Sequence, residues 1–149
     1  KGLSGGVPAG AVLAGEKTAG VFESGDHGST FGGNPLAAAA GLVVLKTVND
    51  PAFLKEIRRK GEKFLAVIRG WNHPVLAAVR GRGLMIAADI TADAWPVLEK
   101  GIALAAGNNP GLLFLSAGPK TLRFLPPYTV SGAEIDQGLE ILKGLLDGV

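Results

Sequence analysis

The chain has 149 residues, of which 47% are apolar and 19% are charged, so it can bury a core and its composition argues against intrinsic disorder. A net charge of +2 is too small to indicate a nucleic-acid-binding protein. The absence of cysteine excludes a disulfide scaffold, a cysteine-ligated zinc site and a thiol nucleophile, and it is compatible with a reducing cytoplasm.

The first 34 residues are rich in glycine and predict mostly loops. Residues 1–10 are a glycine-rich loop by composition. The apolar residues 11–14 predict a short buried strand, and residues 16–22 predict a short helix. Residues 24–34 carry turn-forming residues throughout and predict a second loop.

Two helices are predicted next. Asn34 can cap a helix that has Pro35 at its first position and runs to about residue 48. This helix is apolar on nearly every side, so we expect it to be buried. Asp50 and Pro51 begin a second helix that ends at about Gly70. Its apolar side chains fall on one face at helical spacing: Phe53, Ile57, Phe64, Leu65 and Ile68.

Strands and helices alternate in the rest of the chain. Residues 75–79 and 84–90 predict two strands, and we interpret the RGRG sequence between them as a turn. A helix follows that begins near Thr91 or Asp93 and runs to about Ala106, and Pro96 fits this helix only in its first turn.

Two more short strands, at residues 112–115 and 121–125, precede the last helix. Ser131 and Glu134 form the S-x-x-E pattern of a capping box at its start. The order of helix, strands, helix, strands, helix favours a small α+β domain with helices on one face of a short antiparallel sheet.

Two features of the sequence suit anion binding. Ser29 and Thr30 lie in a glycine-rich loop just before a helix, where hydroxyls and backbone N–H groups can hold a phosphate or carboxylate. A plain tight loop explains the same residues. Arg123 is the only charge in the apolar residues 121–127, and a guanidinium there suits bidentate binding of a carboxylate. A structural ion pair, or an outward-facing arginine, is the alternative.

Other chemistry-bearing residues are less informative. Arg80 and Arg82 could meet an anion, but a solvated turn is the simpler interpretation. His27 and His73 are isolated from carboxylates at ligand spacing, so we predict no metal site. Lys1 leads into a flexible glycine loop and alone indicates nothing.

Four segments together resemble one enzyme family. They are KGLSGGVPAGAVLAG at residues 1–15, HGSTFGGNPLAAAAGLVVL at 27–45, RGRGLMIAADI at 80–90, and LLFLSAGPKTLRFLPPYTVSGAEIDQGLEIL at 112–142. Their order and spacing resemble the class III pyridoxal-phosphate-dependent aminotransferases, and HGSTFGGNP with SAGPKTLRFLPP most resembles the acetylornithine aminotransferase branch. Against that family, GNNPGLLFL looks like a loop insertion.

The resemblance implies a role for each candidate residue. Lys1 would bind pyridoxal 5′-phosphate covalently and move the proton during amino transfer. Thr30 would donate to the cofactor phosphate, in the family from the neighbouring subunit, which implies a homodimer. Ser29 would lie beside it near the substrate, and Arg123 would bind the α-carboxylate of the amino acid or 2-oxo acid. The implied reaction moves an amino group from N-acetylornithine, or a similar ω-amino acid, to 2-oxoglutarate in arginine biosynthesis, in the cytoplasm.

The resemblance also implies the fold and its division. Residues 1–48 would be the end of the large cofactor domain of a fold type I, α/β enzyme, together with an interdomain helix. Residues 49–149 would be its small C-terminal α+β domain. The family's glycine-threonine phosphate turn, ring-stacking aromatic residue, pyridine-binding aspartate and second carboxylate-binding arginine lie upstream in the family, so we expect these 149 residues alone to be inactive.

Other interpretations remain open from the sequence. Within the family they are a 4-aminobutyrate, ornithine or succinylornithine aminotransferase and, further away, an aminomutase or a decarboxylase of the same fold. Outside it, the chain could be a non-catalytic α+β interaction module. A nucleic-acid-binding protein that uses RGRG would need more charge and interleaved aromatic residues.

Overall fold

The computed structural model of the protein describes residues 1–106 and 110–149, and it divides the chain into two compact units, Lys1–Leu54 and Lys55–Val149. Residues 107–109, which belong to the expected loop insertion, lie outside the described residues. The assignment of residues 1–48 to a cofactor domain and of residues 49–149 to a small domain stays a prediction.

The first unit is built around helix α1 (Pro35–Val48). As predicted, Pro35 takes the first position, and the Asn34 side chain caps the helix by accepting a hydrogen bond from the Ala37 N–H at 2.9 Å. The buried Ser4 hydroxyl donates to the Ala37 carbonyl at 3.1 Å. This bond fastens the glycine-rich N-terminal loop to the first turn of α1.

Two predictions for this unit are wrong. Residues 11–14 form no strand, and Leu13 is 99% exposed. No described strand pairs with them, and an extended segment without a pairing partner is not stabilised. Residues 16–22 form turns rather than a helix, with the Ala19 N–H donating to the Gly15 carbonyl at 2.9 Å. These residues are all exposed, so no packing offsets the cost of nucleating so short a helix.

The expected burial of α1 is also wrong. Its buried residues are Ala37 and Gly41, whereas Leu36, Leu42 and Val43 are each more than half exposed. The composition of α1 suits a helix that is covered on most sides. The described part of the chain covers only the side that faces the N-terminal loop.

The second unit confirms the predicted α+β arrangement with an antiparallel sheet. Among the described residues, four strands pair in the order β1-β2-β4-β3, and every neighbouring pair is antiparallel. The elements in chain order are α2 (Pro51–Gly70), β1 (Leu76–Arg82), β2 (Met85–Ile90), α3 (Ala94–Ala106), β3 (Leu115–Ser116), β4 (Thr121–Phe124) and α4 (Gly132–Asp147).

The core of this unit joins one face of α2 to one face of the sheet. Ile57, Phe64 and Ile68 of α2 are buried, as their helical spacing predicted, whereas Phe53 and Leu65 of the same predicted face are only partly buried. The Phe64 ring lies 5.5 Å from the ring of Phe124 on β4. Gly61 contributes a close approach, because a Cβ there would lie 2.0 Å from the Gly83 carbonyl oxygen. A side chain at position 61 would therefore push α2 away from the β1–β2 hairpin.

The RGRG sequence is mostly strand, which corrects its interpretation as a turn. Arg80 pairs with Ala87 and Arg82 pairs with Met85, so β1 continues through both arginines. The chain reverses at residues 83–84, where Gly83 has φ +55°. A two-residue hairpin needs such a conformation at its first position, and glycine adopts it without strain.

The remaining elements follow the predictions closely. Pro96 lies in the first turn of α3, and the predicted strand at residues 112–115 is reduced to Leu115–Ser116. The capping box at α4 forms, since the Ser131 hydroxyl accepts from the Glu134 N–H at 3.1 Å and the Glu134 carboxylate accepts from the Ser131 N–H at 2.7 Å.

The predicted apolar face of α4 is buried; it consists of Ile135, Leu139, Leu142 and Leu146. Within residues 1–106 and 110–149, no single helix is long and apolar enough to cross a membrane; α1 and α2 reach that length and composition only when counted together across the break between them.

Candidate functional site

Lys1 is exposed at the start of the loop that packs on α1. Gly5 and Gly6 have φ values of +61° and +116°, which bring the loop round against the helix. A Cβ on Gly41 of α1 would lie 3.3 Å from the Ser4 Oγ, so the small residue at that position lets the loop approach. The Lys1 amine is therefore carried by a loop anchored three residues away.

Ser29 and Thr30 lie in the exposed loop that ends at the cap of α1. The Asn34 Nδ2 donates to the Phe31 carbonyl at 2.9 Å and ties this loop to the helix. The Asn34 side chain already occupies one N–H of the first turn, and Pro35 has none to offer. The two hydroxyls, which have no hydrogen-bond partner among the described residues, are therefore the main donors here.

A cavity of about 460 Å³ connects the two loops. It is lined by Leu3 and Ser4 next to Lys1, by Phe31 and Gly32 next to Thr30, and by apolar residues of α1 such as Ala38. Lys1, Ser29 and Thr30 do not themselves line this cavity. By its chemistry, an exposed amine such as that of Lys1 can bind the aldehyde of a small aromatic phosphate, and hydroxyls such as those of Ser29 and Thr30 can donate to its phosphate. The residues present therefore fit pyridoxal phosphate.

Arg123 lies on β4 in the second unit and carries an unpaired group. Its Nε is buried and has no hydrogen-bond partner among the described residues, and no described carboxylate forms an ion pair with it. Arg123 lines a cavity of about 620 Å³ whose wall is mostly apolar and includes Trp95, Ile102 and Phe124. Glu134 also lines this cavity, and its carboxylate already accepts a hydrogen bond from the Ser131 N–H. A buried donor beside an apolar cavity suits a ligand with one carboxylate.

Asp89, an acidic residue that the sequence did not single out, lies on the strand next to that of Arg123. The Thr121 hydroxyl donates to Asp89 Oδ1 at 2.7 Å, and Arg80 Nη1 donates to Asp89 Oδ2. The hydrogen bond from Arg80, then that from Thr121, lowers the pKa of the Asp89 carboxyl. The same bond raises the pKa of Arg80. The alternation of side chains along TLRF and MIAADI predicts which face of the sheet each residue lies on. The register that pairs these two strands cannot be read from it.

The two histidines contact other side chains, although His27 belongs to the same loop as Ser29. The nearly buried His73 bonds through Nε2 to Asp147 Oδ1 at 3.1 Å, and the His27 ring packs edge-on against Phe22. No group of three or more potential metal-ligating side chains occurs in the part of the chain that the structure describes. The candidate residues are thus divided between the units, with Lys1, Ser29 and Thr30 around α1 and Arg123 on the sheet.

Comparison with known proteins shows that the chain matches one protein family and is similar to several members of it. The family profile described as "Aminotransferase class-III" matches residues 1–146. The acetylornithine aminotransferase of Synechocystis is 46% identical over 146 residues, which cover 96% of this chain and 33% of that protein.

Solved structures are similar as well. The N-acetylornithine aminotransferase of Stenotrophomonas maltophilia matches with a TM-score of 0.66 and 34% identity, over 78% of this chain and 32% of that one. The ornithine delta-aminotransferase of Plasmodium falciparum matches with a TM-score of 0.76 and 29% identity, over 91% of this chain and 35% of that one. The chain thus spans about a third of the length of these relatives.

Proposed function

Because the chain belongs to the class-III aminotransferase family, we propose that the protein carrying it is a pyridoxal-phosphate-dependent enzyme that moves an amino group from N-acetylornithine to 2-oxoglutarate. The observation that carries the proposal is the buried, unpartnered Nε of Arg123 beside an apolar cavity. Both substrates of the proposed reaction bring a carboxylate to such a group.

Each candidate residue of this chain has its own role in the proposed reaction. Pyridoxal phosphate, when bound, would supply the electron sink that makes the C–H bond on the amine-bearing carbon of the substrate acidic. Lys1 would hold the cofactor through its Nζ and, when released, would take the proton from that carbon and move it during amino transfer. Thr30 donates to the cofactor phosphate, and Ser29 lies beside it near the substrate. Arg123 fixes the carboxylate so that the reacting bond is oriented, an effect that reaches about 7–11 kcal/mol in favourable cases.

The proposal includes a homodimer in which Thr30 serves the neighbouring subunit, and a cytoplasmic location. Its amino donor is supported by the names of similar proteins, since curated relatives from Synechocystis and Listeria innocua are called acetylornithine aminotransferases at 46% and 41% identity. Ornithine is the second candidate donor, because the matching Plasmodium structure is an ornithine aminotransferase. Comparing kcat/KM for N-acetylornithine, ornithine and 4-aminobutyrate in the complete protein separates these donors.

The role proposed for Arg123 is tested by the effect of Arg123→Gln on the KM of the complete enzyme. Loss of a charged hydrogen-bonding group should raise the KM for 2-oxoglutarate about tenfold to a hundredfold. The melting temperature should change little, because the Arg123 Nε has no partner to lose. Arg82→Gln, on the exposed end of β1, is the matched control and should leave KM unchanged. Equal KM values in the two variants would refute the role of Arg123.

A further inference from the structure

On one face of the sheet, one arginine lies on each side of an alanine. Ala87 on β2 is paired with Arg80 on β1 and with Arg123 on β4. Directly paired residues point to the same face of a sheet, so both guanidinium groups start from the face opposite the core. Asp89 lies two residues from Ala87 on the same strand and the same face. It is therefore a diagonal neighbour of both arginines.

Asp89 is engaged by one residue on each neighbouring strand. Arg80 on β1 donates to one of its carboxylate oxygens, and Thr121, its directly paired residue on β4, donates to the other at 2.7 Å. Arg123 lies two residues from Thr121 on the same strand, and its Nε has no partner among the described residues. Diagonal neighbours are about 7–8 Å apart at the backbone, which an arginine and an aspartate side chain can span.

We propose that Arg80 and Thr121 are positioning residues that occupy both carboxylate oxygens of Asp89 and so keep Arg123 available for the substrate carboxylate. The inference rests on the proposed function of Arg123. Without Arg80, Asp89 pairs with Arg123 inside the protein, and this internal carboxylate competes with the substrate for the same guanidinium. Arg80, the first arginine of the RGRG segment, thereby has a role in substrate affinity.

Competition between Asp89 and the substrate for Arg123 predicts a specific pattern of affinities among variants of the complete, cofactor-loaded protein. Arg80→Gln should raise the KM for 2-oxoglutarate, and the Kd of the unreactive analogue glutarate measured by calorimetry, about fivefold, the scale of a modest ion pair. It should leave kcat within about twofold, since the reacting groups are untouched. Asp89→Asn should bind glutarate as well as the unmodified protein does, because it removes the competitor. The double variant R80Q/D89N should also regain normal affinity.

The control outcomes distinguish this inference from its alternatives. If Arg80 and Asp89 merely support the sheet, Asp89→Asn weakens glutarate binding as much as Arg80→Gln does, and the inference is wrong. Arg80→Lys keeps the charge and should retain most of the affinity, and melting temperatures identify any variant that fails to fold. If Arg123→Gln leaves glutarate affinity unchanged, the proposed function fails instead. If Arg123→Gln weakens binding and Arg80→Gln does not, only the positioning role fails.

Discussion

Replacing Gly61 by alanine should destabilise the protein by about 3 kcal/mol, although alanine is the better helix former. The added Cβ would lie 2.0 Å from the carbonyl oxygen and 2.5 Å from the carbonyl carbon of Gly83. Both are backbone atoms of a tight hairpin, so α2 itself has to move away from the sheet. The loss is measured as the change in free energy of unfolding in urea.

Gly144→Ala provides the matched control for this prediction. Gly144 is also inside a helix, α4, but its exposed position has no atom within 4 Å of an added Cβ. We expect this variant to be more stable by up to about 1 kcal/mol. Destabilisation of similar size at both positions would contradict the close approach of α2 and the hairpin.

Lys1→Ala should abolish most of the activity of the complete enzyme while preserving its fold. Removal of a general acid–base group costs about 100- to 10,000-fold in rate. Lys1 is exposed, and no described residue forms an ion pair with it, so its removal should not change the melting temperature of the cofactor-free protein. The measurement is kcat with N-acetylornithine and 2-oxoglutarate, repeated with added methylamine, which should restore part of the rate by replacing the missing amine.

Lys17→Ala is the control for Lys1, because Lys17 is an exposed lysine of the same unit. It should retain full activity. A Lys1→Ala enzyme that turns over at the normal rate would show that another group moves the proton.

Local signals predicted the elements whose determinants lie next to them in the sequence. Asn34 with Pro35, and Ser131 with Glu134, marked the beginnings of two helices correctly because a cap acts within one turn. The spacing of Ile57, Phe64 and Ile68 marked the buried face of α2 for a similar reason, since its period belongs to the helix itself.

The failures concern residues whose pairing or burial depends on more than the segment itself. Residues 11–14 are apolar, but a strand requires a neighbour to bond with, and no described strand supplies one. The apolar surface of α1, including Leu42 and Val43, requires a cover that its own composition cannot supply. Burial depends on the surroundings as well as on the pattern, so these expectations could not be made from the segment alone.

The residues of the candidate site also differ in whether the sequence could single them out. Arg123 stood out as a lone charge among apolar residues, and the structure leaves its buried Nε without a partner among the described residues. Its role in binding a carboxylate stays a prediction. Thr121 and Asp89 are 32 residues apart in the sequence, and only the register of β2 against β4 reveals their contact. The inactivity of these 149 residues alone, the homodimer and the roles of Lys1 and Thr30 stay predictions.

The most direct test of the account is to locate the covalent attachment of the cofactor. The complete protein is incubated with pyridoxal phosphate, reduced with borohydride, digested and analysed by mass spectrometry. The account predicts a single phosphopyridoxyl group on the Nζ of Lys1, absent from the Lys1→Ala variant. A group on another lysine, such as Lys17 or Lys120, or no modified lysine at all, would contradict it.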